Sequence, residues 1–405
     1  MIFLSLVSLL GILSSFLLFL FFFPGLGFLI LFVSFGLTLL SGYLGLRKSI
    51  KLITRSNTLE ILTSSLHAGI DGLLLGIFRI SLRRIAPSQF SRIRHELTIM
   101  ESVIEKEGWE NDPRGYYGES PIAPRFVSST NQKCGRLLYQ HLQSDSTYVP
   151  HSLFPGSENW QLRDIHRTNH AWSMVHEKVG RPWVVCVHGF GLGRPFLDFR
   201  MFDAHFLHSV MGFNLLFPIL SFHGPRALNF RSGDGFFTGD ALVTLHAITQ
   251  SIYDIRSWIA WLKTQTGITP SLFGISLGAY HASVVAALEE NIPNVVLGVP
   301  LINPADTVWS HAPVSWTKNA IRDGLGKENI NKLWRLTSPL VLPEPTATRK
   351  SVFAARHDLI IEGSQLKLLL DHWKDSRLKI CDTGHITFRM EKGFTKFLQE
   401  GLGFD

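Results

Sequence analysis

Ser276 sits in Gly274-Ile275-Ser276-Leu277-Gly278, with a glycine two positions away on either side. A hydroxyl is well placed for nucleophilic attack when the chain turns so sharply that its Oγ projects from the tip. Such a turn leaves no room for side chains on the residues packed beside it. The flanks fit this reading: Thr269 to Phe273 reads as a short buried strand, and Ala279 to Leu288 as a helix with a small-residue face. A serine at that junction lies at a helix N-terminus, where free N–H groups and the helix dipole favour the oxyanion of acyl transfer.

A serine needs a general base, and the base needs an acid to orient it. Both types follow Ser276 in the chain. Ser351 to Ala355 reads as a strand, and Asp358 falls just past its end. A helical stretch near 363–374 and a short strand, Leu378 to Cys381, then lead to Asp382-Thr383-Gly384-His385. One helix and one strand between Asp358 and His385 return both to the same sheet edge. Asp306, after the strand Val295 to Val299, is the rival acid, and an N-cap role is open to Asp358 itself. Asp371 and Asp382 fit no strand end so well. The rival bases are His188, His223 and His281. Of these, His188 is expected to shape its own loop and His281 to pack within the helix after Ser276.

These motifs resemble those of the α/β-hydrolase superfamily, whose chain order is serine, then an acidic residue, then histidine near the end. The resemblance covers roughly residues 180–405 and rests on His188-Gly189-Phe190-Gly191, Gly274 to Gly278, His357-Asp358-Leu359-Ile360 and Gly384-His385. It implies a mostly parallel sheet with helices on both faces, and a Ser276–His385–Asp358 triad. It also implies an oxyanion hole from the amides of Phe190 and Leu277, and a reaction that needs no metal or organic cofactor. The element pattern agrees. Strands near 183–187 and 213–217 alternate with helices near 198–210 and Asp240 to Lys263 before the Ser276 strand, as in a parallel sheet. About fifty residues separate Val299 from Ser351, too many for a plain crossover. This span holds Trp309, Trp316 and Trp334 and is expected to form a lid near 301–349. The glycine-rich run from His223 to Phe237 should border the same cleft.

Residues 1–46 contain no Asp, Glu, Lys, Arg or His. Met1 to Phe23 and Leu26 to Leu46 are each long enough to span a bilayer, with the turn signal Pro24-Gly25 between them. The absence of a basic n-region and the length of the apolar run argue against a secretory signal peptide. A transmembrane helical hairpin is expected, with a single bent or re-entrant segment as the alternative. Arg47, Lys48, Lys51 and Arg55 follow directly, which places the catalytic domain on the cytoplasmic side. Residues 57–85 carry an apolar helical stripe at 59, 62, 66, 70, 73, 77 and 80, and contain Gly72 and Gly76 at close-packing spacing. The stretch from Gly108 to Arg181 has no strong period and is compatible with an irregular wrap or with early strands.

The net charge is +7, but the basic clusters lack the interleaved aromatics of a nucleic-acid surface and suit anionic lipid better. The three cysteines form no disulfide framework. His166 and His170 share helical spacing without a third ligand, and Phe196 stands where a dinucleotide-binding glycine triplet would end. The expected organisation is therefore a hairpin over 1–46, a helical and irregular region over 47–180, and a catalytic α/β-hydrolase domain over 181–405. The expected activity is cleavage of an ester or thioester of an apolar acyl substrate at a lipid bilayer, without nucleic acid. An acyltransferase with the same triad and a non-catalytic membrane scaffold remain the alternatives.

Overall fold

A computed structural model of the protein describes residues 4, 7–12, 14–15, 24–48, 58–82, 89–237, 240–347 and 349–404. The chain forms two compact units. The smaller takes residues 1–81, 354–364 and 379–395, and the larger takes 82–353, 365–378 and 396–405.

The larger unit is built on a sheet whose parallel centre comprises β4 (Trp183–Val187), β5 (Asn214–Pro218), β6 (Ser271–Ile275), β7 (Asn294–Gly298) and β8 (Arg349–Ala355). β4 pairs in parallel with both β5 and β6, β6 with β7, and β7 with β8. β4, β5 and β6 are buried along their whole length. That is why they read as continuous apolar runs rather than alternating ones. Three antiparallel strands extend the sheet beyond β5: β3 (Thr168–Met174), β2 (Leu137–Asp145) and β1 (Ser128–Cys134). They occupy the stretch left open by the sequence. β1 is almost wholly exposed, and β3 is buried although half of it is polar, so neither shows the period that would betray it. The full strand order is β1-β2-β3-β5-β4-β6-β7-β8-β9, with β9 at Arg377–Cys381.

The helix expected over 198–210 is two pieces, Pro195–Met201 and a π-helical turn at Phe206–Val210, with Asp203 at φ 53° between them. The long helix before β6 runs Ala241–Thr266. Asp240 caps it by accepting from the Leu242 and Val243 amides, and Gly267 ends it at φ 69°. The span after β7 holds three short helices, Pro304–His311, Val314–Arg322 and Lys327–Trp334. Its tryptophans pack inward: Trp316 meets Phe90 edge-on with centroids 5.2 Å apart, and Trp334 Nε1 donates to Ala241 O at 2.9 Å.

In the smaller unit, α1 (Pro24–Lys48) and α2 (Thr58–Leu82) approach backbone to backbone. A Cβ on Gly42 would lie 1.8 Å from Ser65 O, and one on Gly69 would lie 2.4 Å from Thr38 O. Gly42 and Gly69 thus carry a close contact between the two helices. Among the described residues, no helix is long and apolar enough to cross a membrane. Much of the expected first span, including residues 16–23, lies outside the described residues, as do the side chains of Arg47, Lys48, Lys51 and Arg55.

One buried ion pair ties the loop after β5 to the long helix. Arg226 and Asp254 are 0% and 2% exposed, and Arg226 donates to Asp254 Oδ2 at 2.8 Å and to Ile219 O at 3.1 Å. Removing one partner leaves the other charge buried without its counterion. Arg226→Met is therefore expected to cost about 3–5 kcal/mol, read as the shift in urea denaturation followed by tryptophan fluorescence.

Candidate active site

Ser276 occupies the junction between β6 and the following helix, Leu277–Leu288, with φ 56° and ψ −118°. Few L-residues adopt such a backbone, and holding one there costs on the order of 1–3 kcal/mol. The structure shows what holds it. Ser276 N donates to Gly298 O at 2.8 Å, and Ser276 O accepts from Leu301 N at 3.3 Å, so the end of β7 brackets the residue on both sides. The flanking glycines are there for want of space. A Cβ on Gly274 would lie 2.4 Å from Gly278 O, and one on Gly278 would lie 1.9 Å from Val187 O. From residue 271 to 287 every residue but Ser276 is buried.

The His188-Gly189 turn packs onto this elbow. A Cβ on Gly189 would lie 3.2 Å from Ile275 O and 3.3 Å from the Ser276 Cβ. Phe190 follows that turn, while Leu277 opens the helix, a position whose N–H has no intrahelical acceptor. The turn is held from behind by a residue that sequence reasoning missed. Asp198 is fully buried and accepts from Gly193 N at 2.8 Å and from Trp172 Nε1 at 3.2 Å. Burial pushes its carboxyl up to about 7, with the hydrogen bonds opposing. The loop after β5 lies against the same turn: the Phe190 ring is 5.7 Å from His223 and 5.6 Å from Phe237.

The three rival histidines are all buried and all committed. His188 Nδ1–H donates to Gly189 O at 2.9 Å while its Nε2 accepts from Leu220 N. His223 donates to Ser221 O, and His281 to Leu277 O, each at 2.8 Å. Burial holds the imidazoles of His188 and His281 down to about 4 and that of His223 well below its ordinary value. They are neutral fixtures, His188 and His223 of their loops and His281 of the helix after Ser276.

His385 differs. In the smaller unit its Nδ1–H donates to Asp358 Oδ2 at 2.7 Å, with the two side chains 4% and 10% exposed. Burial lowers this imidazole, but the charge and hydrogen bond of Asp358, together with Asp71, outweigh it and leave the group above its ordinary value. The other oxygen of Asp358 accepts from Ile360 N and Ile361 N, both at 2.8 Å, which fixes the carboxylate from below. Asp306, the rival acid, lies in the first turn of its helix, bonded to Asn303 and Lys327. Asp358 and His385 thus meet in the smaller unit, whereas Ser276, Phe190 and Leu277 belong to the larger.

Three further residues, all on α2, were not found from sequence. Ser64 Oγ bonds His357 Nε2 at 3.0 Å, His67 Nδ1 bonds Thr387 Oγ1 at 2.7 Å, and Asp71 accepts from the backbone around Asp358 and His385. The one signal available was a carboxylate inside the apolar stripe of residues 57–85, since a buried acid must find donors.

Comparison with known proteins agrees with this architecture. The acetyl xylan esterase from Paenibacillus sp. R4 superimposes with a TM-score of 0.52 at 14% identity, over 73% of this chain and 93% of that one. The fold is α/β-hydrolase-like, with a mostly parallel sheet and helices. No family model matches the chain. "Uncharacterized protein MT2702" of Mycobacterium tuberculosis (strain CDC 1551 / Oshkosh) is 30% identical over 320 residues, 77% of this chain and 75% of that protein. "Uncharacterized protein Rv2627c" of Mycobacterium tuberculosis (strain ATCC 25618 / H37Rv) matches to the same extent. The chain belongs to the family of these two proteins.

The depressed histidines set a dependence on pH. A base whose folded-state value lies below its unfolded one contributes stability that is complete above the unfolded value, about 6.5, and is lost as pH falls. For His281 that loss extends down to about 4. His281→Met is therefore expected to flatten the fall of the urea midpoint between about pH 7 and about pH 5 relative to the unaltered protein.

Proposed function

We propose that the protein is a membrane-anchored serine hydrolase that cleaves an ester or thioester of an apolar acyl substrate. The observation that carries this reading is the Ser276 backbone. It is a strained, glycine-flanked serine at a strand-to-helix junction, and among residues 271–287 it alone is not fully buried. The 2.7 Å bond between His385 and Asp358 supports the assignment of base and acid. So does the esterase named among similar folds, the acetyl xylan esterase.

In this mechanism Ser276 Oγ attacks the acyl carbonyl carbon while its proton passes to His385 Nε2. Asp358 holds Nδ1–H and stabilises the imidazolium. The Phe190 and Leu277 amides receive the carbonyl oxygen as it becomes an oxyanion. Collapse breaks the bond to the alcohol or thiol, which leaves with the proton from His385. Water then attacks the acyl-serine with His385 again as base, the carboxylic acid departs and Ser276 is restored. The rings of Phe190 and Phe237 support an apolar acyl group as the substrate.

The anchor is residues 1–46, with the catalytic domain facing the cytoplasm. It is supported by the absence of any charged residue or histidine in this stretch and by the basic residues that follow it. The apolar side chains that α1 leaves open point the same way: Phe32 is 77% exposed, Val33 53% and Phe35 49%.

Ser276→Ala is expected to abolish labelling by a fluorophosphonate probe without unfolding the protein. His385→Ala and Asp358→Asn should each reduce turnover of p-nitrophenyl esters by roughly 10³-fold or more. Asp306→Asn should change it little. Labelling that survives Ser276→Ala moves the nucleophile elsewhere, and equal effects of the two Asp substitutions reject Asp358 as the acid.

The anchor predicts that the full chain stays with the membrane pellet through high-salt and alkaline washes. Attraction to the basic clusters alone would be screened beyond about 8–10 Å. A C-terminal reporter should be active only in its cytoplasmic form, and an exported C-terminus would reverse the orientation.

A further inference from the structure

We infer that Asp71, on α2, is a positioning residue that fastens the Asp358 loop and the His385 loop to one another; this rests on the triad proposed above. Asp71 has no exposed surface. Its Oδ2 accepts from Leu359 N at 3.2 Å and from His385 N at 2.8 Å, and its Oδ1 accepts from Ile386 N at 3.2 Å. One carboxylate therefore grips the residue after the acid, the base itself and the residue after the base. Those three amides come from two segments, one at Leu359 and the other at His385 and Ile386, and Asp71 gives them a common acceptor.

The local sequence is shaped around this grip. A Cβ on Gly384 would lie 2.8 Å from His67 O and 2.9 and 3.0 Å from the two Asp71 oxygens, so only glycine lets the His385 loop come down onto α2. Ser64, His67 and Asp71 stand at i, i+3 and i+7, one face of the helix, and each bonds a residue at or beside the acid–base pair. Without that polar face, a carboxylate in this apolar helix would carry the full cost of burial.

Asp71 also acts on the imidazole through its charge. The titratable groups whose charge reaches it are Asp358 and His385 across the loops; His67 lies one turn earlier on its own helix, bonded to Thr387, and His357 precedes Asp358, bonded to Ser64. Burial, then the charge of Asp358, pushes the Asp71 carboxyl up to about 7, while His385 and the amide bonds pull it down. In return Asp71 raises the His385 imidazole. When His385 takes the serine proton, the imidazolium is thus held by one carboxylate at Nδ1 and by a second beneath its backbone.

The test is the full chain in detergent micelles, assayed with p-nitrophenyl acetate across pH. Asp71→Asn places an NH2 group against backbone N–H donors and removes the charge. It is expected to lower kcat about tenfold to a hundredfold with little change in KM. It should also move the acid limb of the kcat/KM profile to lower pH by about one unit, because the imidazolium loses a neighbouring anion. Asp71→Glu keeps the charge but displaces the loops, so it should retain the acid limb and still lose rate. A variant that only melts at lower temperature, with kcat and acid limb as in the unaltered protein, overturns the inference; so does a full rate in Asp71→Glu. Fluorophosphonate labelling of the unaltered chain reports on the triad separately. If that labelling fails, the hydrolase reading falls, and histidine ¹⁵N titration still decides the inference. A lower His385 value in Asp71→Asn supports the coupling, and an unmoved one rejects it.

Discussion

The elbow depends on close approaches of backbones, the tightest of them at Gly278. The carbonyl oxygen of Val187, at the end of β4, lies where a Cβ on residue 278 would be, 1.9 Å from it. With glycine at 278 the helix after Ser276 can start directly above the strand ends. The His188-Gly189 turn can then lie against the serine, and the end of β7 can reach both sides of the Ser276 peptide. Strain at Ser276 is tolerated because those hydrogen bonds, and the strands behind them, leave it no relaxed alternative. Any larger residue at 278 would push the helix off β4 and separate the turn from the serine it serves.

Around that core the protein sorts its histidines by environment. Those of the larger unit that stand near the elbow are buried, donate one ring N–H to a carbonyl and are held neutral. His385 is equally buried, but it faces carboxylates rather than carbonyls, and this restores its affinity for a proton. The same residue type thus becomes a structural donor in one place and a proton acceptor in the other. The difference lies in whether the partner carries a charge. Asp198 and Asp71 are the counterpart among the acids: each is raised by burial and each accepts backbone amides from a loop it holds in shape.

The amino-terminal helices serve two physical ends at once. Glycines at 42 and 69 bring α1 and α2 into backbone contact, and α1 leaves large apolar side chains uncovered. α2 turns a polar face, Ser64, His67 and Asp71, toward the loops of the acid and the base. A helix read from its apolar stripe and its glycines is therefore also the support of the polar cluster around Asp358 and His385.

Much of the core was legible in the amino-acid sequence for a simple reason: parallel strands buried on both faces are continuous apolar runs, and glycines mark the places where backbones touch. β4 to β8, the long helix capped by Asp240, and the strand–serine–helix junction could all be read in this way. The bond between Asp358 and His385 was anticipated from chain order, because a helix and a strand between them return the chain to one edge. What the linear pattern does not contain is partnership across long separations. β1 to β3 carry no period, since one is exposed and another is buried although half of it is polar. Asp71 acquires its role from amides that arrive from elsewhere, one of them 314 positions away along the chain. Composition and spacing determined which residues could do chemistry. Only the tertiary structure decided which carboxylates hold the loops, because a hydrogen bond depends on distance in space and not on distance in sequence.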